Sequence, residues 1–334
     1  MKIPYRTLIA KLGLSLVIIS ILATTVRYYA MESFRGSNRS LLAPAGQMLE
    51  PDKQKFIFSA ISDTGARNAP LERILKQIRR SKSEFVLYLG DLVRYRNKSH
   101  FRWITSELSE KLKRLHFYAV PGNHEILKEH GKADRSLYTG IFGSTYYWFG
   151  YGNTLFIGLD SAESKIDDKQ FEWLRGTLKH IRPLYKHCIV YTHVPPLNPA
   201  APGVKVLDAY SRDRLAELLP QGKVSLLLAG HVHNFQQTEF AGIPLYTLPS
   251  SGQPIRSDIK KFGYVDVKIT AGKIEKVKPR YIHGNNEVEF LENFASGALV
   301  KKSIHTFSVW MLGTGLLLLL IAAIMKLAEQ HRKP

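Results

Sequence analysis

Six residues spread along the chain have side chains that could together hold metal ions: Asp63, Asp91, Asn123, His193, His231 and His233. They lie in five short elements: Ser62-Asp63-Thr64-Gly65, Gly90-Asp91, Gly122-Asn123-His124-Glu125, Thr192-His193-Val194-Pro195-Pro196 and Gly230-His231-Val232-His233. Each follows an apolar run of strand length, and the ends of strands are where α/β folds gather their sites. Singly, each is ordinary, since a Gly-Asp pair is often a turn and a strand-end histidine often a core hydrogen-bonder. Together they supply two carboxylates, an amide oxygen and three imidazoles. That mixed oxygen and nitrogen set suits Mn, Zn or Fe, and a shared carboxylate would let it hold two ions.

In order and spacing, these elements resemble the calcineurin-like metallophosphoesterases over roughly residues 55–280. That family's pattern is D-x-H or D-x-G, then G-D, G-N-H-[DE], H and G-H-x-H. The resemblance implies a two-sheet β-sandwich flanked by helices, with a bimetal centre at one edge. Carried over by position, Asp91 bridges the metals, Asn123, His193 and His231 hold the second, and Asp63 and His233 hold the first. It further implies phosphoester hydrolysis by a water activated between two ions. His124 would protonate the leaving oxygen, oriented by Glu125 or Asp160, for which a plain loop or strand-end acid is the alternative.

The chain departs from this pattern at the first metal. Position 65 is Gly where most of the family has a histidine ligand. Purple-acid-phosphatase-like members also have Gly there and take a tyrosine three residues after the bridging Asp. Here that position is Arg94, and Tyr95 follows it. Tyr95 is a candidate phenolate ligand or an ordinary packed tyrosine. Arg94 is a candidate bidentate grip on phosphate or a solvated cation. The first site is thus expected to be short of a ligand and weak. Two functions follow: a metal-dependent hydrolase of a phosphate monoester, diester or pyrophosphate bond, or a catalytically impaired binding or scaffold protein on the same fold.

The elements that must position these residues read as α/β. Strand-like runs at 56–61, 85–89 and 117–120 alternate with helical patterns at 71–80 and 101–114. Tyr151-Gly152-Asn153 reads as a hairpin turn, followed by a helix at 167–181 and a strand at 187–191. The spans 224–228, 235–240, 244–248, 263–269 and 273–278 are spaced as a β-meander. Residues 127–139 read as a polar surface loop, and with 195–206 they are expected to govern substrate choice.

Both ends are apolar. Residues 12–26 follow Lys2, Arg6 and Lys11, as in an uncleaved signal anchor. Residues 307–325 carry no charge and suit a transmembrane helix. The expected order is an anchor (1–26), a stalk (27–52), a catalytic domain (53–281), a linker (282–303), a transmembrane helix (304–326) and a basic tail (327–334). A short basic N-terminus places the catalytic domain on the extracytoplasmic side. The 47 Lys+Arg against 28 Asp+Glu give a net charge of +19, which favours a phosphorylated substrate and the lipid bilayer as partners. Zinc-finger spacing, zipper heptads and aromatic RNA-binding motifs are missing from the sequence, which argues against nucleic acid. The single cysteine, Cys188, excludes a disulfide-stapled fold. Oligomeric state is left open.

Overall fold

The computed structural model describes residues 5–32, 46–65, 69–94, 96, 100–101, 104–105, 108, 115–129, 132–197, 203–255, 261–270, 273–282 and 302–331. Contacts divide the chain into two units, Met1–Gly36 with Phe290–Pro334, and Ser37–Glu289. The described helices are α1 (Tyr5–Glu32), α2 (Ala69–Arg80), α3 (Ser136–Phe142), α4 (Asp168–His180), α5 (Ala209–Gln221) and α6 (Lys302–His331). The strands begin with β1 (Met48–Leu49), β2 (Phe56–Ile61), β3 (Ser83–Leu89), β4 (His116–Val120), β5 (Leu127–Glu129), β6 (Lys132–Asp134) and β7 (Tyr147–Tyr151). They continue with β8 (Thr154–Leu159), β9 (His187–Thr192), β10 (Leu226–Ala229), β11 (Gln236–Phe240), β12 (Ile243–Thr247), β13 (Gly263–Thr270) and β14 (Lys273–Tyr281).

The larger unit is a sandwich of a seven-stranded sheet, ordered β1-β7-β8-β9-β10-β12-β11, and a five-stranded sheet, ordered β14-β13-β2-β3-β4. Strands such as FIFSAI in β2 are apolar at nearly every position because both faces are covered. Between the sheets, Phe58 stacks on Phe85 at 5.2 Å, Phe85 meets Phe149 edge-on at 5.7 Å, and Phe149 stacks on Tyr118 and Phe156. Each such ring contributes about 1.5–3 kcal/mol by leaving water. On the outer face of the seven-stranded sheet, Leu155, Val190 and Leu227 pack with Phe171 and Leu174 of α4 and Leu215 and Leu219 of α5. On the outer face of the other, Ile61, Val86 and Tyr88 pack with Leu71, Ile74 and Ile78 of α2. Helix α4 is capped by Asp167, which accepts from the Gln170 amide at 2.8 Å. Phe101, Ile104 and Leu108 are helical and buried in the same cluster as α2, while much of the rest of 101–114 lies outside the described residues.

Two expectations are corrected. The five spans from 224 onward do not form a meander. Strand β10 pairs parallel with both β9 and β12, β11 and β12 form an edge hairpin, and β13 crosses to the other sheet to pair with β2. Apolar spacing reports strand length but not the partner, and burial of Val265 and Val267 between the sheets selected this one. Residues 127–139 are not a plain loop, for they form the β5–β6 hairpin and most of the first turn of α3. Tyr138 of α3 is fully buried against the five-stranded sheet's helices.

The smaller unit is described by itself. Its helices α1 and α6 contain stretches, Tyr5–Thr25 and Val309–Lys326, long and apolar enough to cross a membrane. Gly13 and Gly315 let the two backbones touch, with Gly13 facing Leu318 and Leu319 and Gly315 facing Val17. This register is antiparallel, and side chains such as Leu12, Ile18, Leu316 and Leu320 remain exposed around the pair. Small residues at a close crossing are the usual way for apolar helices to pack in lipid.

Candidate metal centre

The ends of β2, β3, β4, β9 and β10 converge at one end of the sandwich, so the site draws residues from both sheets. The chain leaves these strands by sharp turns. Asp63, Asp91, His231 and His233 all have left-handed backbone, with φ of 56°, 57°, 69° and 58°. For residues with a Cβ this conformation costs roughly 1–2 kcal/mol each, and such strain gathers at functional sites. Hydrogen bonds hold the turns. The Asp91 carbonyl accepts from the amides of Thr64 and Gly65 at 3.0 and 3.1 Å, and the Asp91 amide donates to Glu125 Oε2 at 2.7 Å. Gly90 is required here, because a Cβ on it would lie 2.7 Å from His193 Nδ1 and 2.6 Å from the Gly122 nitrogen.

All six candidate ligands come together. Two sets of ligand atoms each fall within 4.8 Å of one another: Asp91, His193 and His231, and Asp63, Asp91 and His233. Asp91 belongs to both. Asn123 joins the first set, with its Oδ1 3.1 Å from His193 Nε2. His193 Nδ1 donates to the Leu89 carbonyl at 2.7 Å, so in the neutral ring Nε2 is an acceptor. That nitrogen faces Asp91 Oδ1 at 3.4 Å and His231 Nδ1 at 3.2 Å.

The second set repeats this logic. His233 Nδ1 donates to the Pro254 carbonyl at 2.6 Å, which turns Nε2 toward Asp63 Oδ1 at 3.2 Å. Asp63 Oδ1 is buried and accepts no hydrogen bond. A positive charge must lie between two such acceptors, either a proton on the ring or a metal ion. Burial alone would raise the Asp63 carboxyl. The facing His233, His193 and the Ser62 hydroxyl outweigh it and hold the group well below the usual carboxylate range. An orphaned buried oxygen, two imidazoles aimed by backbone carbonyls and a shared carboxylate fit a pair of cations.

The other predicted residues divide. His124 lies beside the centre, its amide donating to Asp91 Oδ1 at 3.0 Å and its Nδ1 to the Arg94 carbonyl at 2.9 Å. Its Nε2 is 3.8 Å from Asp91 Oδ2. Neither acid expected to orient it does so. Asp160 pairs with Arg135 at 2.6 Å. Glu125 instead accepts the amides of Asp91, Gly122 and Val93 at 2.7, 2.7 and 3.0 Å. Burial, then the Asp91 charge, pushes the Glu125 carboxyl up to about 8 against the pull of those amides. Arg94 stands exposed on the rim. Tyr95, and residues 198–202 of the expected substrate loop, lie outside the described residues.

The residues 250–254 were missed by sequence reasoning. Ser250 Oγ donates to the Asp63 carbonyl at 3.2 Å, the Ser251 amide to the Ser62 carbonyl, and the Gln253 amide to the Asp63 carbonyl at 2.8 Å. Their one legible signal was a Ser-Ser-Gly-Gln-Pro turn composition just after a strand. A cavity of about 710 Å³ at the opposite end of the five-stranded sheet is lined by Lys55, Lys82, Glu84, Lys268 and Glu275. It has no histidine and lies at the starts of β2 and β3, whereas the convergent ligands follow their ends, so the chemistry belongs at the strand ends.

The family model for calcineurin-like phosphoesterases matches residues 58–235, just over half of the chain. The chain is 25% identical over 200 residues to a probable glycerophosphodiester phosphodiesterase of Arcobacter nitrofigilis, covering 54% of this chain and 67% of that one. It is 35% identical over 87 residues to a probable cyclic nucleotide phosphodiesterase of Rhodococcus erythropolis, covering 26% of this chain and 28% of the other. In fold it matches purple acid phosphatase PPD1 of yellow lupin (Lupinus luteus) with a TM-score of 0.58 and 17% identity, over 70% of this chain. The match spans about half of that chain, 52%. A dimetal phosphatase from Danio rerio gives a TM-score of 0.51 and 15% identity, covering 69% of this chain and 96% of that one. The chain belongs to the calcineurin-like phosphoesterases, a family of metal-dependent phosphoester hydrolases.

Proposed function

We propose that this protein is a membrane-anchored, metal-dependent phosphoesterase acting on a phosphate diester, monoester or pyrophosphate bond of a lipid-linked or other envelope substrate. The observation that carries this reading is the convergence of Asp63, Asp91, His193, His231 and His233 as two ligand sets sharing Asp91. In it, Asp91, Asn123, His193 and His231 would hold one ion, and Asp63, Asp91 and His233 would hold the other. The ions, Mn, Zn or Fe, would supply Lewis-acid polarisation of the phosphoryl group and an activated water.

The chain's own residues do the rest. Leu89 and Pro254 carbonyls fix the rings of His193 and His233, so their Nε2 atoms stay aimed at the centre. His124, held by the Arg94 carbonyl and Asp91, delivers a proton from Nε2 of its imidazolium form to the leaving oxygen and is left as the neutral ring with Nδ1–H on that carbonyl. Arg94 grips the phosphate from the rim. The similarity to a glycerophosphodiester phosphodiesterase favours a diester. Exposed apolar helices favour a bilayer partner, and the basic N-terminus supports an extracytoplasmic domain.

The test uses the full chain in detergent with Mn²⁺ or Zn²⁺, bis(p-nitrophenyl) phosphate and p-nitrophenyl phosphate. Turnover should require metal, and Asn123→Ala and His193→Ala should abolish it. Undiminished turnover in either variant, or none under any metal, contradicts the reading, and the latter favours the scaffold.

A further inference from the structure

The missing ligand at position 65 has a counterpart elsewhere in the chain. Gly65 has φ +65°, and a Cβ built on it would lie 2.8 Å from Gln253 Cγ. Gln253 thus fills the volume that a side chain at 65 would enter. It is buried, at 8% exposure, and its backbone is fixed on both sides. Its amide donates to the Asp63 carbonyl at 2.8 Å, and its carbonyl accepts from Ser250 Oγ at 2.6 Å. The carbonyl of the next residue, Pro254, accepts a hydrogen bond from His233 Nδ1.

So placed, the Gln253 side-chain amide stands 3.5 Å from both the carbonyl oxygen and Oδ2 of Asp91. Neither distance makes a strong hydrogen bond. The two ends of a glutamine amide are assigned from their surroundings and exchange by a half-turn about the last torsion. With its oxygen inward, the amide completes a set with Asp63 Oδ1, the Asp91 carboxylate and His233 Nε2. We infer that Gln253 provides, through its amide oxygen, the ligand to the first metal that a histidine at position 65 provides in most of the family. The inference rests on the metal-dependent reading above. An amide oxygen is a harder donor than an imidazole, so the first site should discriminate less against Mn²⁺, relative to Zn²⁺, than one with a histidine in that place.

The experiment titrates the metal-stripped full chain in detergent with Mn²⁺, reading free ion by electron paramagnetic resonance. Wild type should bind two equivalents. Gln253→Ala should weaken one of them about tenfold or more and leave the other intact, whereas Gln253→Glu, with an oxygen in the same place, should keep or tighten it. Thermal melts of the metal-free variants that match wild type show that the fold is kept. Unchanged binding of both equivalents by Gln253→Ala overturns the inference while leaving the phosphoesterase reading standing. Equal weakening in Gln253→Glu also overturns it, since the N–H would then be the working group. Wild type that binds no Mn²⁺ defeats the underlying reading and the inference with it.

Discussion

The two halves of the centre share Asp91 but are built differently. The half containing Asn123, His193 and His231 draws on β3, β4, β9 and β10, and its histidine is aimed by Leu89, at the end of a central strand. The half containing Asp63 and His233 stands on the ends of β2, β3 and β10 and is held in addition by the turn at residues 250–254, which receives the His233 ring and braces the Asp63 backbone. The turn is mostly buried and densely hydrogen-bonded, but it belongs to neither sheet and reaches Asp63 from a distant part of the chain. The same ligand chemistry is therefore expected to have a firmer and a weaker half, the weaker being the one that has Gly65 where the family has a histidine.

The largest effect should come from Asp91→Asn, because it removes the carboxylate common to both halves. Both Mn²⁺ equivalents and all turnover should be lost, as metal analysis and aryl phosphate hydrolysis would show; one tightly bound ion remaining would mean that the halves are independent. Next, Asn123→Ala should cost turnover and one equivalent, while Asp63→Ala should cost the other. Loss of the weaker binding event, with the tighter one kept, in Asn123→Ala would reverse the ranking of the halves.

How far the halves were legible follows the same division. Gly90-Asp91, Gly122-Asn123 and Gly230-His231 stand directly after apolar strands, so position in sequence reported position in space. The brace on the weaker half was hidden because Ser250 and Asp63 are 187 residues apart, and Ser-Ser-Gly-Gln-Pro looks like any turn. Glu125 is, with Asp160, one of two sequence candidates to orient His124, a plain loop acid being the alternative. Its neighbours in sequence could not reveal that its two oxygens take three backbone amides from both sides of the centre. Strand lengths were legible as well, but the exchange of β13 to the other sheet depended on which apolar faces met.

Smaller effects sharpen the contrast. Glu125→Ala leaves three buried amides without their acceptor and should destabilise the fold by about 3 kcal/mol, visible as a lower melting temperature in the metal-free chain. A variant melting like wild type would show that water replaces the carboxylate. His124→Asn should slow hydrolysis about a hundredfold with little change in metal content, and less for p-nitrophenolate, which leaves without a proton, than for an alkyl alcohol. Equal slowing for both leaving groups would remove His124 as the acid. Ser250→Ala should be the mildest, loosening only the metal of the Asp63 half by a few-fold; an effect on the Asn123 half would contradict the separation.

The most direct measurement is a Mn²⁺ titration of the full chain followed step by step by bis(p-nitrophenyl) phosphate hydrolysis. Two unequal binding events are expected, the tighter lost in Asn123→Ala and the weaker in Asp63→Ala, with turnover rising only as the weaker one fills. Turnover that is complete at one equivalent, or that proceeds without metal, would contradict a centre of two halves joined by Asp91.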